Sequence, residues 1–100
     1  MSDWKRLDIT DEQMEVLAHF SLRREATDAE RLREIWPTLP AAQASQRLAD
    51  AVDGINRAAS AATGKPGRVI AGNGSSFGAA VATPEVYVHV LVDEPYAEVR

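Results

Sequence analysis

The spacing of apolar residues changes once along this chain, at Thr63-Gly64-Lys65-Pro66-Gly67. Before this segment, apolar side chains recur every three or four positions, a spacing typical of helices. After it they alternate with other residues, most clearly from Val86 to Val92, a pattern typical of strands. One hundred residues are the length of one domain. We therefore predict a single α+β domain over residues 1–100: three N-terminal helices between about residues 10 and 63, then a small antiparallel β-sheet of two or three strands between about residues 67 and 93.

Two of the predicted helices begin with the residues of a capping box. Thr10 is followed three positions later by Gln13, and Thr27 is followed in the same way by Glu30. In this motif the hydroxyl and the longer polar side chain each bond a backbone N–H group that the helix leaves unpaired. Pro37 ends the second helix, because proline disfavours helical backbone in the residue before it.

The third predicted helix starts near Pro40 and ends at Gly64, with Gly64 as its C-cap. Its apolar residues form a continuous stripe, from Ala44 and Leu48 to Ile55 and Ala59. Gly54 within the helix costs about 1 kcal/mol relative to alanine. We expect that glycine to allow the close approach of another backbone segment.

The strands are predicted at Arg68–Ala71, Ser76–Thr83 and Val86–Val92, paired as an antiparallel meander. Gly72-Asn73-Gly74 supplies a tight turn, and residues 96–100 are interpreted as a tail. The valines of the last strand should face the helices, with Tyr87, His89 and Leu91 on the opposite face. The residues expected to carry the packing, besides these valines, are Trp4, Leu7, Met14, Leu17, Phe20, Ile35, Trp36, Leu48, Val52 and Ile55.

The composition excludes several classes of site. The chain has no cysteine, so it can form neither a disulfide nor a thiolate zinc site. No stretch approaches the ~20 apolar residues of a membrane span, and the polar start is unlike a secretory signal. We predict a cytoplasmic protein that has no contact with a membrane.

The motifs with catalytic or cofactor-binding potential are incomplete. Gly72-Asn73-Gly74-Ser75-Ser76-Phe77-Gly78 has its third glycine one position late for a dinucleotide fingerprint, and no helical pattern follows it. His19, on a helix surface or edge, and His89 have no second ligand at a metal-binding spacing. We therefore expect no enzymatic activity, no cofactor and no metal.

One alternative function follows from the order of the elements. Two helices joined by a short turn and followed by a hairpin are the order of a winged helix-turn-helix, so a small DNA-binding transcriptional regulator is the alternative. The third helix would then contact DNA through Gln43, Gln46, Arg47 and Arg57. Against this, Asp50 and Asp53 share its polar face, and the net charge is −4. Direct binding of nucleic acid is therefore not our first prediction.

The remaining interpretation is a non-enzymatic, protein-binding inhibitor or regulator. Tryptophan and arginine are favoured at interfaces, and Trp4 lies in a charged segment before the first helix. Acidic residues cluster near both ends of the chain, and the region from Arg57 to Arg68 is the basic part of an acidic sequence. Acidic clusters suit a partner with a basic surface. The candidate partner-binding residues are Trp4, Asp8, Asp11, Glu12, Glu15, Arg57, Lys65, Arg68, Asp93 and Glu94.

In size, acidity and lack of cysteine, the whole chain resembles the small phage-encoded anti-CRISPR inhibitors. That class has no shared motif, so the resemblance assigns no role to an individual residue. It implies a stoichiometric inhibitor that binds a CRISPR effector complex through acidic and aromatic side chains set against the basic nucleic-acid channel.

Overall fold

The computed structural model describes residues 3–64, 69–72, 77–79 and 86–100. Three helices and a three-stranded antiparallel sheet confirm the α+β class. The elements are β1 (Lys5–Arg6), α1 (Asp11–Leu22), α2 (Asp28–Ile35), α3 (Ala41–Thr63), β2 (Ile70–Gly72), β3 (Phe77–Ala79), β4 (Val86–His89) and β5 (Tyr96–Val99).

The strands form two sheets, where the sequence predicts one meander. The strand order is β1-β5-β4 in the first sheet, and β2 pairs with β3 in the second. Antiparallel pairing of β2 and β3 agrees with the predicted hairpin, although most of its turn lies outside the described residues. β4 is shorter than the predicted strand, ending at His89.

The interpretation of residues 96–100 as a tail is wrong. Tyr96–Val99 is β5, the central strand of the first sheet, between β4 and β1. The strand β1 was also not predicted, so the order of helices followed by strands holds only from α1 onward. Both strands are short, and the partner of β1 lies at the other end of the chain. Lys5 pairs with Val99, and Arg6 pairs with Glu98.

Both predicted capping boxes are present. The Thr10 hydroxyl oxygen accepts a bond from the Gln13 backbone N–H (3.1 Å), and the Thr10 N–H donates to Gln13 Oε1 (2.9 Å). Thr27 and Glu30 make the same two contacts, each at 3.2 Å. Each box satisfies backbone donors that the first helical turn leaves unpaired.

The two glycines of α3 have different roles. Gly64 is the C-cap, with φ of 70° and an N–H that donates to the Ser60 carbonyl (2.9 Å). At Gly54, the neighbour is a side chain and not the backbone that the sequence predicts. A Cβ atom on Gly54 would overlap the side-chain amide of Gln13. Gly54 therefore makes room for the residue that completes the capping box of α1.

The core lies between α1, α3 and the inner face of the first sheet. Ala97 and Val99 of β5 are buried there, and Val86 and Val88 of β4 pack against the same cluster, as predicted. The remaining buried apolar side chains of the cluster are Leu7, Met14, Val16, Leu17, Phe20, Leu48, Ala51, Val52, Ile55, Ala59, Val69 and Ile70. Ile35 and Trp36 contribute as partly buried neighbours.

Asn56 connects α3 to β2. Its Oδ1 accepts bonds from the backbone N–H groups of Val69 (2.8 Å) and Ile70 (3.0 Å), and its Nδ2 donates to the Ile70 carbonyl (2.8 Å). Val69 and Ile70 are buried, so these backbone groups need protein partners. One side chain supplies partners for three of them.

Candidate functional site

The outer face of the first sheet has a distinctive composition. Alternation along the strands places Ala97 and Val99 on the inner face, which leaves Tyr96 and Glu98 on the outer face. The same alternation applies to β1 and β4. We call this surface the outer sheet face; it consists of Trp4, Arg6, Tyr87, His89, Tyr96, Glu98 and Arg100.

Side chains on the outer sheet face stack on one another across the strands. The His89 ring is nearly parallel to the Tyr96 ring (12°), with centroids 4.2 Å apart, and it tilts against Tyr87 at 4.6 Å. The Arg6 guanidinium lies 4.7 Å from the centroid of Tyr96. His89 Nε2 and Glu98 Oε1 are 2.8 Å apart. Since β5 is central, Tyr96 has a neighbour from each flanking strand.

The stacking of Arg6, Tyr96 and His89 limits which ring surfaces are open to a ligand. The Tyr96 ring contacts His89 and Arg6, so part of its aromatic surface is covered by neighbouring side chains. Proteins that bind single-stranded nucleic acid need ring faces on which bases can stack. The contacts that these side chains offer to a protein are their ring edges, hydroxyl groups and guanidinium groups.

Trp4 lies at one end of the same face, outside the buried core cluster, so the expectation that it contributes to the core packing is wrong. The register that pairs Lys5 with Val99 brings Trp4 opposite Arg100. The Arg100 guanidinium lies 5.0 Å from the centroid of the indole ring, within the range of a cation–π contact. The indole is half-buried rather than enclosed, and this places the residue on the surface that we consider for partner binding.

The structure places Asp8 at the same end of the sheet as Asp93 and Glu94. The Leu7 N–H donates to the Ala97 carbonyl at 2.8 Å, which continues the β1–β5 register. Asp8 therefore lies beside the start of β5, the end at which the β4–β5 connection carries Asp93 and Glu94. All three carboxylates are exposed, and none has an ion pair within the described residues. The sequence alone gave no reason to group them.

The other predicted acidic residues lie on α1. Asp11 and Glu15 are exposed and also form no ion pair in the described part of the chain. Glu12 differs, because its Oε1 accepts bonds from Trp36 Nε1 (3.1 Å) and from Arg47 Nη1 (3.2 Å). Glu12 thus links α1 to the other helices, and its charge is partly compensated.

The predicted basic surface is only partly described. Lys65 and Arg68 lie outside the described residues. Arg57 is exposed and pairs with Asp53 one turn earlier (2.9 Å). Two other α3 side chains proposed to contact DNA also have protein partners: Arg47 pairs with Glu12, and Gln46 donates to Asp50 (2.9 Å). The contacts of α3 therefore give no specific support to the DNA-binding alternative.

A buried cation between α1 and α2 was not predicted. Arg31 is fully buried, with its guanidinium 3.9 Å from the Phe20 ring centroid. Its Nη2 donates to the Arg24 carbonyl (3.3 Å), while its Nε has no hydrogen-bond partner. Burial lowers the pKa of Arg31, partly offset by nearby Asp28. Arginine remains protonated despite such shifts. The amphipathic pattern of the short helix α2 gave no sign of this burial.

His19 lies against Arg31 and not on an open helix surface. Arg31 Nη1 is 3.1 Å from His19 Nδ1 and can only donate, so Nδ1 is the acceptor. This assigns the ring proton to Nε2, which is 2.6 Å from Glu34 Oε2. Arg23 also pairs with Glu34. The network holds α1 against α2, and every member has a structural role.

Glu30 belongs to the edge of this network. The Thr27 backbone N–H, then the Thr27 hydroxyl, donate to its carboxylate and lower its pKa from the ordinary value of 4.5. Arg23 adds a weaker attraction at 3.4 Å. The shift follows from the capping box, so it marks a helix start and not a catalytic acid.

Within the described residues, no group of three or more histidine or acidic side chains is arranged to hold a metal ion. No helix in the described part of the chain combines the length and the hydropathy needed to cross a bilayer. Comparison of the chain with protein-family models, with curated proteins and with solved structures finds no match.

Proposed function

We propose that this chain is a non-enzymatic, protein-binding inhibitor or regulator of a larger, basic nucleic-acid-handling complex. The observation that carries the proposal is the outer sheet face, where two tyrosines, a tryptophan and two arginines remain accessible on one surface. Aromatic residues and arginine are enriched at protein interfaces, particularly among the residues that contribute most binding energy.

The fixed conformations of these side chains also support a protein partner. Side chains held by neighbours lose less conformational entropy on binding than free ones, which favours affinity. Tyr96 is held between Arg6 and His89, and His89 is held by Glu98. A surface arranged in this way before binding is suited to a rigid contact.

The charge distribution supports a basic partner. The exposed carboxylates of Asp8, Asp93 and Glu94 share one end of the sheet, and the chain carries a net charge of −4. Opposite charge on the partner would accelerate association and favour this orientation. A CRISPR effector, whose nucleic-acid channel is basic, is the first partner that we would test.

The test compares two triple variants. The first, Trp4→Ser/Tyr87→Ser/Tyr96→Ser, removes the large aromatic rings from the outer sheet face. The matched control, Leu22→Ser/Arg33→Ser/Gln43→Ser, changes three exposed residues of the helices. Circular dichroism and thermal unfolding verify that each variant is folded.

The functional readout is the plating efficiency of a targeted phage on bacteria with an active CRISPR system, with and without the chain. We expect the unmodified chain and the control to raise plating, and the sheet variant to lose the effect. Affinity capture from the same cells should recover subunits of a nucleic-acid-handling complex with the control only. Identical captured proteins for both variants would contradict the proposal. Salt-dependent binding of duplex DNA that needs Gln46 and Arg47 would favour the transcriptional regulator instead.

A further inference from the structure

The connection between β4 and β5 exposes apolar side chains. Leu91 is 95% exposed and Val92 is 46% exposed. Only four large apolar side chains are markedly exposed in the described chain, and three of them, Tyr87, Leu91 and Val92, belong to β4 or to the connection that follows it. Single exposed apolar residues are common on protein surfaces, whereas a group in one place more often marks an interaction site.

Acidic residues lie at the same end of the sheet as this apolar group. Asp93 and Glu94 follow directly in the chain, and the β1–β5 register brings Asp8 to the same end of the sheet. None of these carboxylates is neutralised by an ion pair within the described residues. We call Leu91, Val92, Asp93, Glu94 and Asp8 together the acidic tip.

We propose that the acidic tip inserts into an apolar pocket with a cationic rim on the protein partner. This inference rests on the proposed function and adds the chemistry of the contact. Leu91 and Val92 enter the pocket, while the carboxylates pair with lysine or arginine residues around its mouth. An apolar anchor within a charged ring is the arrangement expected of an interface that combines affinity with orientation.

The charges argue against two other occupants. An anionic membrane surface attracts basic segments and repels acidic ones. Nucleic acid is bound through lysine and arginine contacts to phosphates, and the acidic tip contains neither residue. A protein with a basic rim is therefore the occupant that the observations favour.

The experiment uses site-specific photocrosslinking of the whole chain in bacterial cells. A photoreactive phenylalanine analogue replaces Leu91 in one version, Tyr87 of the outer sheet face in a second, and Leu22 in a third. Leu22 is the matched control, because it is also an exposed leucine (65%) but is not part of the acidic tip. It is the last residue of α1, whereas Asp8 of the acidic tip precedes the first residue of that helix. Each protein adduct is mapped to its residue by mass spectrometry.

We expect a protein adduct from position 91, mapped to an apolar residue in a surface that carries lysine or arginine, and none from position 22. The double substitution Asp93→Asn/Glu94→Gln should lower the yield of this adduct about fivefold, because it removes both rim contacts. Separately, Leu91→Ser should weaken binding to the identified partner about tenfold or more, since it removes a buried leucine side chain.

The outcomes separate this inference from the proposed function. A protein adduct from position 87 without one from position 91 would leave the proposed function standing and overturn the inference. Adducts from neither position would overturn both. The inference would also fail if position 91 labelled lipid or nucleic acid, if its yield were unchanged by the charge substitutions, or if the purified chain bound phosphatidylglycerol vesicles through Leu91.

Discussion

The helical body and the three-stranded sheet each contain a histidine beside a glutamate, and the two pairs are surrounded differently. His19 and Glu34 are 2.6 Å apart, and the other nitrogen of His19 accepts a bond from the buried Arg31. His89 and Glu98 are 2.8 Å apart on the outer sheet face, where the imidazole stacks on Tyr96. The first pair connects two helices, and the second connects two neighbouring strands on the outer sheet face.

The difference shows where the polar groups of this chain are used. In the helical body, polar side chains such as Arg31, Asn56 and Gln13 bond groups on other elements or complete helix ends. On the sheet, the polar and aromatic side chains contact their neighbours but stay accessible. Substitutions in the first group should therefore reduce stability, whereas substitutions in the second should reduce binding.

The largest expected effect is at Arg31. Arg31→Ala should lower the free energy of unfolding by about 3 kcal/mol, because it leaves a cavity beside Phe20 and removes the donor to His19. Arg31→Met keeps an apolar chain of similar length and removes a costly buried charge, so its loss should be below about 1 kcal/mol. Urea unfolding measures both. Equal losses would mean that the hydrogen bonds, and not the packing, make the contribution.

The next largest effect is expected at Asn56. Asn56→Ala leaves three buried backbone groups of Val69 and Ile70 without partners and should cost about 2 to 3 kcal/mol. Gln43→Ala, on an exposed position of the same helix, is the control and should stay within about 0.5 kcal/mol. Hydrogen exchange should show faster exchange at the Val69 and Ile70 amides in the Asn56 variant. Unchanged exchange at these two amides would argue against the role assigned to Asn56.

The two histidines test the comparison directly. His19→Ala should cost about 2 kcal/mol, because it removes the acceptor for a buried guanidinium. His89→Ala should cost less than about 1 kcal/mol, since its contact with Glu98 is only partly buried and water can take its place. Thermal unfolding compares the two stabilities. For partner binding, His89→Ala should reduce affinity more than His19→Ala does. A His89 variant with full affinity would argue against the outer sheet face as the binding surface.

The smallest expected effect is an energetic coupling between Gly54 and Gln13: the effect of Gly54→Ala on stability should depend on whether the Gln13 side chain is present. Gly54→Ala alone should change stability little, because about 1 kcal/mol of helix propensity is offset by displacement of the Gln13 side chain. In a Gln13→Ala background the same substitution should raise stability by about 1 kcal/mol. A double-mutant cycle measures the difference between the two backgrounds. Equal effects in both would mean that Gln13 moves aside without cost.

The local part of this fold was predictable from sequence, and the non-local part was not. Capping boxes at Thr10 and Thr27 and the stop at Gly64 depend on residues a few positions apart, so their patterns can be read directly. The strands β1 and β5 are short, and among the described residues β1 pairs only with β5, at the other end of the chain. In β5 the alternation of Tyr96 and Glu98 with Ala97 and Val99 is the pattern of a strand. It covers only four residues, which is too short to predict a strand from sequence.

The candidate surface was predictable to a similar degree. Trp4 follows from its residue type and charged surroundings, and Asp93 and Glu94 follow from their clustering in the sequence. Arg6 and Tyr96 come beside Trp4 on the outer sheet face only through the β1–β5 register. The buried Arg31 had no sequence signal, because arginine is usually exposed. Asn56 has a weak sequence signal, because asparagine is unfavourable inside a helix and its presence there indicates a specific side-chain contact.

The pairing of β1 with β5 also has a consequence for folding kinetics. Lys5 and Val99 meet only after almost the whole described chain has closed into a loop, and contacts of such long sequence separation form slowly. The helical body, made of local contacts, should form earlier, with the sheet assembling on it afterwards. Destabilising changes in β1 or β5 should then accelerate unfolding and leave the folding rate nearly unchanged. A chain that has formed its helices has therefore not yet acquired the surface through which we expect it to bind.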